Sequence, residues 1–281
     1  MTSSHTASAP PESAARVALV TGAARRLGRE IALALARDGW DIGVHYAESA
    51  TAAQQTATDI AASTGRRAVA LQADLADEAQ VLALLPRLRA ALGEVGCVVN
   101  NASRFVFDDA ASFSYQTLAE HMRPNLAAPV LLARELHRLL PDAAAGGVVV
   151  NLLDQKLYNP NPDFLAYSLS KAALAAATEM LAQALAPRLR VVGVAPGLTL
   201  PSYLQDDAQF ERAARASSPL QQASSAADVA ATVAFAARTG SITGSVILCD
   251  AGQHLQRAAR DVSFSEPRDD AGAPAVQAGR H

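Results

Sequence analysis

Lysine, cysteine and long hydrophobic runs are scarce in this 281-residue chain. Lys156 and Lys171 are the only lysines, against 22 arginines, and the formal net charge is −3. The arginines are scattered and form no basic stripe of the kind that binds nucleic acid. The longest apolar segments, such as residues 148–153, are far shorter than a bilayer span. We therefore expect neither a nucleic acid nor a membrane as a partner.

Cysteine and histidine are too sparse for a disulfide or metal framework. Cys97 and Cys249 lie in apolar, strand-like runs, where cysteine behaves as a small buried hydrophobe. The six histidines are dispersed without the spacing of metal ligands, so we expect no metal. Residues 1–15 lack the basic start and apolar centre of a secretory signal, and we expect a cytoplasmic protein.

Short apolar runs alternate with alanine-rich helical patterns through the middle of the chain. Most runs are continuously apolar, which is typical of parallel strands buried on both faces. The pattern predicts an α/β fold, a doubly wound parallel sheet (Rossmann fold) of about seven strands with helices on both faces. The predicted strands are RVALVTG (16–22), DIGVHY (41–46), AVALQAD (68–74), GCVVNNA (96–102), GVVVNLLD (147–154), RVVGVAPG (190–197) and GSVILCDAG (244–252).

The two ends of the chain lack this pattern. We expect a flexible tail at 1–15, a single dinucleotide-binding catalytic domain at 16–257 and a second flexible tail at 258–281, because neither end keeps a hydrophobic period. Asp108 and Asp109 precede a predicted helix and are expected to cap its start.

A glycine turn follows the first predicted strand. The segment Thr21-Gly22-Ala23-Ala24-Arg25-Arg26-Leu27-Gly28 leads directly into a helical pattern. A strand, a tight turn and a helix N-terminus present backbone N–H groups to a pyrophosphate, so the segment predicts nucleotide binding. A purely structural turn is the alternative.

The end of the second predicted strand bears on which nucleotide is bound. His45-Tyr46-Ala47-Glu48-Ser49 places no carboxylate at the strand end, where an acid would bind the ribose of NAD. With Arg26 and Ser49 nearby, the segment favours NADPH over NADH. Glu48 would oppose this preference if it faced the 2′-phosphate. The alternative is that Glu48 starts the next helix and points to solvent.

Tyr167 and Lys171 form the candidate catalytic pair. Their four-residue spacing in a helical stretch places both side chains on one face. An adjacent ammonium favours the ionised phenol, so we expect Lys171 to make Tyr167 a usable acid. Asp154 lies thirteen residues upstream. Asp154 either joins the pair or caps the loop after the fifth strand, with Gln155 or another group contacting the substrate.

Together with Asn100-Asn101-Ala102, Asn125 and Pro196-Gly197, these motifs make the chain resemble the short-chain dehydrogenase/reductase family over roughly residues 16–256. Within that family it is most similar to pteridine reductases and dihydromonapterin reductases. The closer likeness rests on the arginine-bearing turn at 21–28, on His45-Tyr46, on residues 101–105 and 196–199, and on Asp154.

The resemblance implies a role for each matching position. The residues expected along the cofactor are Gly22, Arg26, Leu27 and Gly28 at the phosphates, His45, Tyr46 and Ser49 around the adenosine ribose, Asp74 and Leu75 beside the adenine, Asn101, Ala102 and Ser103 along the adjoining backbone and ribose, and Pro196, Gly197, Leu198 and Thr199 around the nicotinamide. Lys171 is expected to bind the nicotinamide ribose, and Asn125 to hold a water that links Lys171 to solvent. Ser103 and Phe105 are expected to form the pterin slot.

Asp154 stands where most members of the family have serine, which donates a hydrogen bond to the carbonyl oxygen of the substrate. An ionised carboxylate about 4 Å from a developing alkoxide would cost about 4 kcal/mol at a dielectric near 20, or roughly a thousandfold in rate. A C=N bond needs a proton on nitrogen instead, and burial that raises the pKa of Asp154 would keep one available. We therefore expect Tyr167 to donate a proton to a pterin, with Asp154 as its partner or a second donor.

Two other functions remain open from the sequence. They are a short-chain carbonyl or alcohol oxidoreductase, and a catalytically silent NADP(H)-sensing protein. The helix after Tyr167 carries small residues at 172, 173, 175, 176 and 177, which allow close helix packing. With the family resemblance, this predicts a homodimer or homotetramer.

Overall fold

The computed structural model describes residues 16–141, 146–201, 204 and 206–264. The predicted N-terminal tail lies outside the described residues, as does the C-terminal segment from residue 265. Among the described residues, no helix combines the length and apolar character needed to cross a membrane.

A seven-stranded parallel sheet forms the centre of the described chain, in the order β3-β2-β1-β4-β5-β6-β7. The prediction of a doubly wound parallel sheet is confirmed, and every strand lies within or beside its predicted run. The strands are β1 Val17–Val20, β2 Asp41–Tyr46, β3 Ala68–Gln72, β4 Val95–Asn100, β5 Gly147–Leu152, β6 Leu189–Pro196 and β7 Val246–Cys249.

Helices cover both faces of this sheet. They are α1 Arg26–Arg37, α2 Ala50–Thr64, α3 Glu78–Leu92, α4 Tyr115–Met122, α5 Ala128–Leu139, α6 Leu165–Ala184, α7 Asp207–Ser217 and α8 Ala226–Arg238, with a π-helical turn at Arg123–Ala127 between α4 and α5. Successive strand residues point to opposite faces. Ala18 and Val20 therefore pack in one core cluster with α1 and α8, whereas Val17 and Leu19 pack in the other with α3 and α5.

The strand order reverses between β1 and β4, so the connections from these strands diverge at their carboxyl ends. A doubly wound sheet binds ligands at such a point. Thr21 ties the two strand ends together, because its Oγ1 accepts hydrogen bonds from the N–H groups of Asn101 (2.9 Å) and Ala102 (3.0 Å). The Asn101 amide in turn donates to the Thr21 carbonyl at 2.9 Å.

Residues 256–264 pack against the body of the protein, and we call them the C-terminal strap. Asp261 accepts a hydrogen bond from Lys156 Nζ at 2.9 Å, and Arg260 Nε lies 2.9 Å from Asp163 Oδ2. The Phe264 ring meets that of Phe107 edge to face, with centroids 5.1 Å apart. The packed chain thus extends beyond the predicted boundary at 257. Ion pairs and ring contacts hold the strap, and neither produces a hydrophobic period.

Candidate active site

The glycine turn after β1 forms a cradle that only small residues permit. Gly22 adopts φ +64°, and a Cβ on Gly28 would collide with the Gly22 carbonyl and lie 2.7 Å from Asn101 Nδ2. Arg26 keeps a left-handed backbone (φ +52°) at the start of α1. Close backbone approach and a helix N-terminus are the features that a dinucleotide phosphate requires, so these residues fit such a cofactor.

His45 holds this turn from behind. Its Nδ1 accepts a hydrogen bond from Gly22 N at 3.0 Å, so the other ring nitrogen, Nε2, donates to the Ala73 carbonyl at 3.1 Å. The side chain is 1% exposed, and burial lowers its pKa to about 4. The imidazole stays neutral and positions a backbone N–H of the turn. Its expected place beside the adenosine ribose stays a prediction.

The remaining residues assigned to the adenosine half lie at the ends of β2 and β3. Tyr46 and Ser49 are half-buried, whereas Glu48 is exposed two residues before α2 begins. Asp74 is exposed and Leu75 is buried directly after β3. The exposure of Glu48 agrees with the solvent-facing alternative.

Tyr167 and Asp154 share a short hydrogen bond. The phenol Oη donates to Asp154 Oδ2 at 2.7 Å, while Asp154 Oδ1 accepts from the backbone N of Lys156 at 2.8 Å. The carboxylate therefore both caps the turn that follows β5 and contacts the candidate proton donor. Oδ1 thus matches the alternative in which Asp154 caps the loop after the fifth strand, and Oδ2 matches the alternative in which Asp154 joins the pair of Tyr167 and Lys171.

Lys171 does not act on Tyr167 as the sequence suggested. Its Nζ donates to the Leu152 carbonyl at 2.7 Å and lies 5.7 Å from the centroid of the Tyr167 ring. Burial raises the pKa of Tyr167 well above its ordinary value, and the adjoining carboxylate raises it further. The lowering of the phenol pKa expected from the Lys171 ammonium is thus not found in this structure, in which burial and then the Asp154 carboxylate both favour the protonated phenol.

Burial also shifts the pKa values of the other two groups. It raises the pKa of Asp154 against the opposing effects of the Lys156 N–H, the Tyr167 hydroxyl and the neighbouring lysine charges. It lowers the pKa of Lys171 to about 8. Both shifts favour the neutral form, so the site holds a proton on the acid more readily than an exposed carboxyl would.

Asn125 lies in the π-helical turn, a feature often found at functional sites. Its side-chain oxygen accepts from the backbone N of Arg104 at 2.7 Å, and its amide donates to the Arg104 carbonyl (3.0 Å) and to Ser170 Oγ (2.9 Å). Arg104 lies between Ser103 and Phe105 in the chain. Asn125 thus positions the segment assigned to the pterin slot, and its role in holding a water stays a prediction.

Phe105 lies against two other rings. It stacks on Phe164 with centroids 4.2 Å apart and planes at 17°, and it meets Tyr167 edge to face at 4.7 Å. Ser103 beside it is exposed. This contact places an aromatic ring directly beside the candidate proton donor.

A cleft of about 520 Å³ joins these parts. The sequence-predicted residues that line it are Arg26, Leu27, Asn101, Ser103, Phe105, Asp154, Tyr167, Lys171, Pro196, Gly197, Leu198 and Thr199. The predicted residues outside its lining are Gly22, Gly28, His45, Tyr46, Ser49, Asp74, Leu75, Ala102 and Asn125. Three of the four positions predicted to be catalytic and all four predicted around the nicotinamide thus line one cavity, whereas Asn125 lies outside its lining.

Sequence reasoning missed most of one wall of this cleft, which Lys156 and much of the C-terminal strap form. Gln155, named from the sequence only as an alternative substrate contact, lines the same wall. The side-chain oxygen of Gln155 is buried without a hydrogen-bond partner in the described part of the chain. Lys156 is 5% exposed, and its scarcity as one of two lysines was the available signal. Among the residues that the structure describes, no group of three or more acidic, cysteine or histidine residues is placed so that it could hold a metal ion.

The sequence profile for short chain dehydrogenases matches residues 16–212. The chain belongs to the short-chain dehydrogenase family. It is therefore a short-chain oxidoreductase, and the family expected from the sequence motifs is confirmed.

Three relatives illustrate the range of this family. Pteridine reductase 1 from Leishmania tarentolae is 32% identical over 287 aligned positions, which cover 87% of this chain and 98% of that protein. The structure of FolM alternative dihydrofolate reductase 1 from Brucella canis, complexed with NADP, gives a TM-score of 0.81 at 39% identity, covering 91% of this chain and 97% of that one. The promiscuous reductase LugOII, which catalyses keto-reduction at C1 in lugdunomycin biosynthesis, gives 0.79 at 32% identity, covering 86% and 98%.

Proposed function

We propose that this short-chain oxidoreductase uses NADPH to reduce a C=N bond in a dihydropteridine or folate-like pterin. The observation that carries the proposal is the 2.7 Å hydrogen bond between Tyr167 Oη and Asp154 Oδ2. It pairs the candidate proton donor with a carboxyl in place of a hydroxyl. Pterin-reducing relatives and NADP-bound neighbours give independent support.

NADPH when bound supplies the hydride, which adds to the carbon of the C=N bond. The nitrogen of that bond then takes the proton of Tyr167 Oη, so the product gains one C–H and one N–H bond. Asp154 accepts the Tyr167 hydrogen bond in the resting site, and its raised pKa lets it carry the replacement proton. The Lys171 ammonium lies in the same cleft, where it can bind a ribose hydroxyl.

The preference for NADPH rests on the charged residues of the glycine turn and on those at the end of β2, the two segments expected to surround the adenosine half of the cofactor. Arg25 is exposed, and Arg26 reaches into the cleft from the glycine turn. No acid occupies the last position of β2, and Glu48 is exposed beyond it. A 2′-phosphate can therefore pair with an arginine of the glycine turn while Glu48 faces solvent, which supports NADPH over NADH.

A carbonyl reductase is the second candidate. LugOII reduces a keto group with the same fold, and an Asp154 that is neutral through its raised pKa can donate a hydrogen bond to an oxyanion as serine does. Carbonyl reduction requires that Asp154 be protonated before the hydride is transferred. Reduction of a pterin C=N bond also tolerates an ionised Asp154.

The decisive experiment follows NADPH oxidation with dihydrobiopterin, dihydromonapterin and dihydrofolate beside a panel of simple ketones. We expect turnover of at least one dihydropterin at a kcat/KM well above that of any ketone. Turnover of ketones alone would refute the pterin proposal. NADPH binding without turnover of any substrate would indicate a sensor.

A further inference from the structure

The charges that line the cleft are unequally compensated. The cationic residues in its lining are Arg26, Lys156, Lys171, Arg257 and Arg260. Lys156 pairs with Asp261, and Arg260 pairs with Asp163. Lys171 lies near Asp154, whose carboxylate acts on its pKa. These three cations therefore have internal partners.

The other two cations face the cleft without a carboxylate. Arg26 donates to the Pro201 carbonyl at 2.6 Å, at the end of the cleft that holds the glycine turn. Arg257 is exposed and has no hydrogen bond or ion pair with any residue that the structure describes. Its guanidinium keeps all five donors for a ligand.

Arg257 lies on the substrate side of the cleft. It lines the same cavity as Asp154 and Tyr167, whereas Tyr46 and Ser49, which are assigned to the adenosine ribose, lie outside that lining. The residue before it, Gln256, is held by Asn159 on the segment that follows β5. These contacts favour the second substrate over the 2′-phosphate as the ligand of Arg257.

The strap keeps Arg257 close to the reacting groups. On one side, Asn159 Nδ2 donates to the carbonyl of Gln256. On the other, Asp261 binds Lys156, which follows Asp154 by two residues. Four residues of chain limit the Cα distance from Arg257 to Asp261 to about 14 Å at most. A substituent on a ring bound beside Asp154 can therefore reach Arg257.

We propose that Arg257 binds a carboxylate on the substituent of the substrate, so that the enzyme prefers a pterin with an anionic tail, as in folates, to one with a neutral hydroxyalkyl tail. This preference rests on the proposed pterin activity. Guanidinium and carboxylate form two parallel hydrogen bonds, which Lys and Gln cannot reproduce. Arg257 thus selects the tail, while Asp154 and Tyr167 act on the ring.

The test compares equilibrium binding of dihydrofolate and dihydrobiopterin to the full-length protein loaded with NADP⁺, measured by calorimetry. The two ligands share the pterin ring and differ in tail charge, and the oxidised cofactor prevents turnover. The variants are Arg257→Gln, Arg257→Lys and the control Arg215→Gln. Arg215 is an exposed arginine on α7 that does not line the cleft.

We expect Arg257→Gln to weaken dihydrofolate binding about five- to tenfold, as for a partly exposed charge-assisted pair, and to change dihydrobiopterin binding by less than about twofold. Arg257→Lys should recover part of the loss, and added salt should reduce the wild-type preference for dihydrofolate. Arg215→Gln should change neither ligand.

An equal effect of Arg257→Gln on both ligands, or no effect on either, would overturn the assignment of Arg257 to the tail carboxylate of the substrate. Turnover of pterins by the wild-type protein would be unaffected by that result. Wild-type protein that binds neither ligand would overturn the tail assignment together with the proposed function. NADPH oxidation by the wild-type protein with the dihydropterins distinguishes these two outcomes.

Discussion

Asp154 contributes two oxygens with different tasks, and single substitutions can separate them. Oδ1 caps the turn after β5 by accepting from Lys156 N, and Oδ2 accepts the hydrogen bond from the Tyr167 hydroxyl. Asp154→Asn keeps a cap acceptor but loses the acid, whereas Asp154→Ser restores the hydroxyl usual in the family. The pair of variants therefore distinguishes a structural from a chemical role.

We expect both variants to lower kcat on a dihydropterin about a hundredfold or more, which is the usual contribution of a general acid. The affinity for NADPH should change little, because Asp154 lies away from the glycine turn. Steady-state kinetics and NADPH titration measure the two quantities. Full activity in Asp154→Asn would show that only the cap matters.

Lys171 carries a stability cost that a neutral side chain would remove. Its pKa falls from 10.5 to about 8 through burial, which corresponds to about 3 kcal/mol of unfavourable charge burial. Below pH 8 both the folded and unfolded states bind the proton, so the cost is complete there. Between pH 8 and 10.5 the folded state releases the proton first, and the cost disappears.

Lys171→Met should therefore raise the free energy of unfolding at pH 7 by about 2 kcal/mol, allowing about 1 kcal/mol for the lost hydrogen bond to Leu152. The same substitution should abolish most of the turnover. Urea unfolding at pH 7 and above pH 10.5 measures the difference, which should reverse to about 1 kcal/mol in favour of the wild type at the higher pH, where only the lost hydrogen bond remains. A destabilised Lys171→Met at pH 7 would contradict the burial argument.

At the scale of secondary-structure elements, the strap is held to the substrate side of the cleft by the Lys156–Asp261 pair. Lys156→Met and Asp261→Asn should each raise the KM for a pterin several-fold and leave the NADPH affinity unchanged, since the pair lies away from the glycine turn. Groups that act as one unit give non-additive effects. The double variant should therefore be no worse than the poorer single variant.

Steady-state KM values for the four proteins form the double-mutant cycle. Additive losses would show that each side chain contacts the substrate separately. As a matched control, Arg89→Gln removes one end of an exposed ion pair with Glu94 that lies outside the cleft, and it should leave KM unchanged.

The elements differ in how well the sequence predicted them. Each strand was predicted because burial on both faces leaves a continuous apolar run, as in β1, where all four residues are 0% exposed. The caps were harder to predict. Ser114 caps α4, while Asp108 accepts from Ala166 N at the start of α6, 58 positions away. The expected local cap for Asp108 is wrong, because its partner depends on tertiary proximity.

The same limit applies to the site. The spacing of Tyr167 and Lys171 and the glycines of the turn follow from local geometry, so motifs could predict them. The buried ring of His45 and the amide of Asn125 act through hydrogen bonds to distant backbone. The strap is held by pairs about a hundred positions apart in the chain. No local pattern encodes such contacts.

At the scale of the whole molecule, α6 presents an apolar face that nothing in the described chain covers. Leu169 is 44% and Met180 68% exposed, and Ala172 and Ala176 are exposed between them at helical spacing. Small residues on this face allow close approach by a second helix. The homodimer or homotetramer expected from the sequence stays a prediction, and this face is where we expect its contact.

Ala176→Arg should convert the assembly to smaller species, because a close helix contact has no room for the side chain and would bury its charge. Sedimentation velocity at micromolar concentration measures the change. Ala61→Arg, on an exposed position of α2, adds the same side chain elsewhere and should leave the assembly intact. A wild-type protein that sediments as a monomer would refute the oligomer, and an intact Ala176→Arg assembly would place its contact on another face. Since α6 also carries Tyr167 and Lys171, dissociation should lower turnover by loosening the helix that holds both groups.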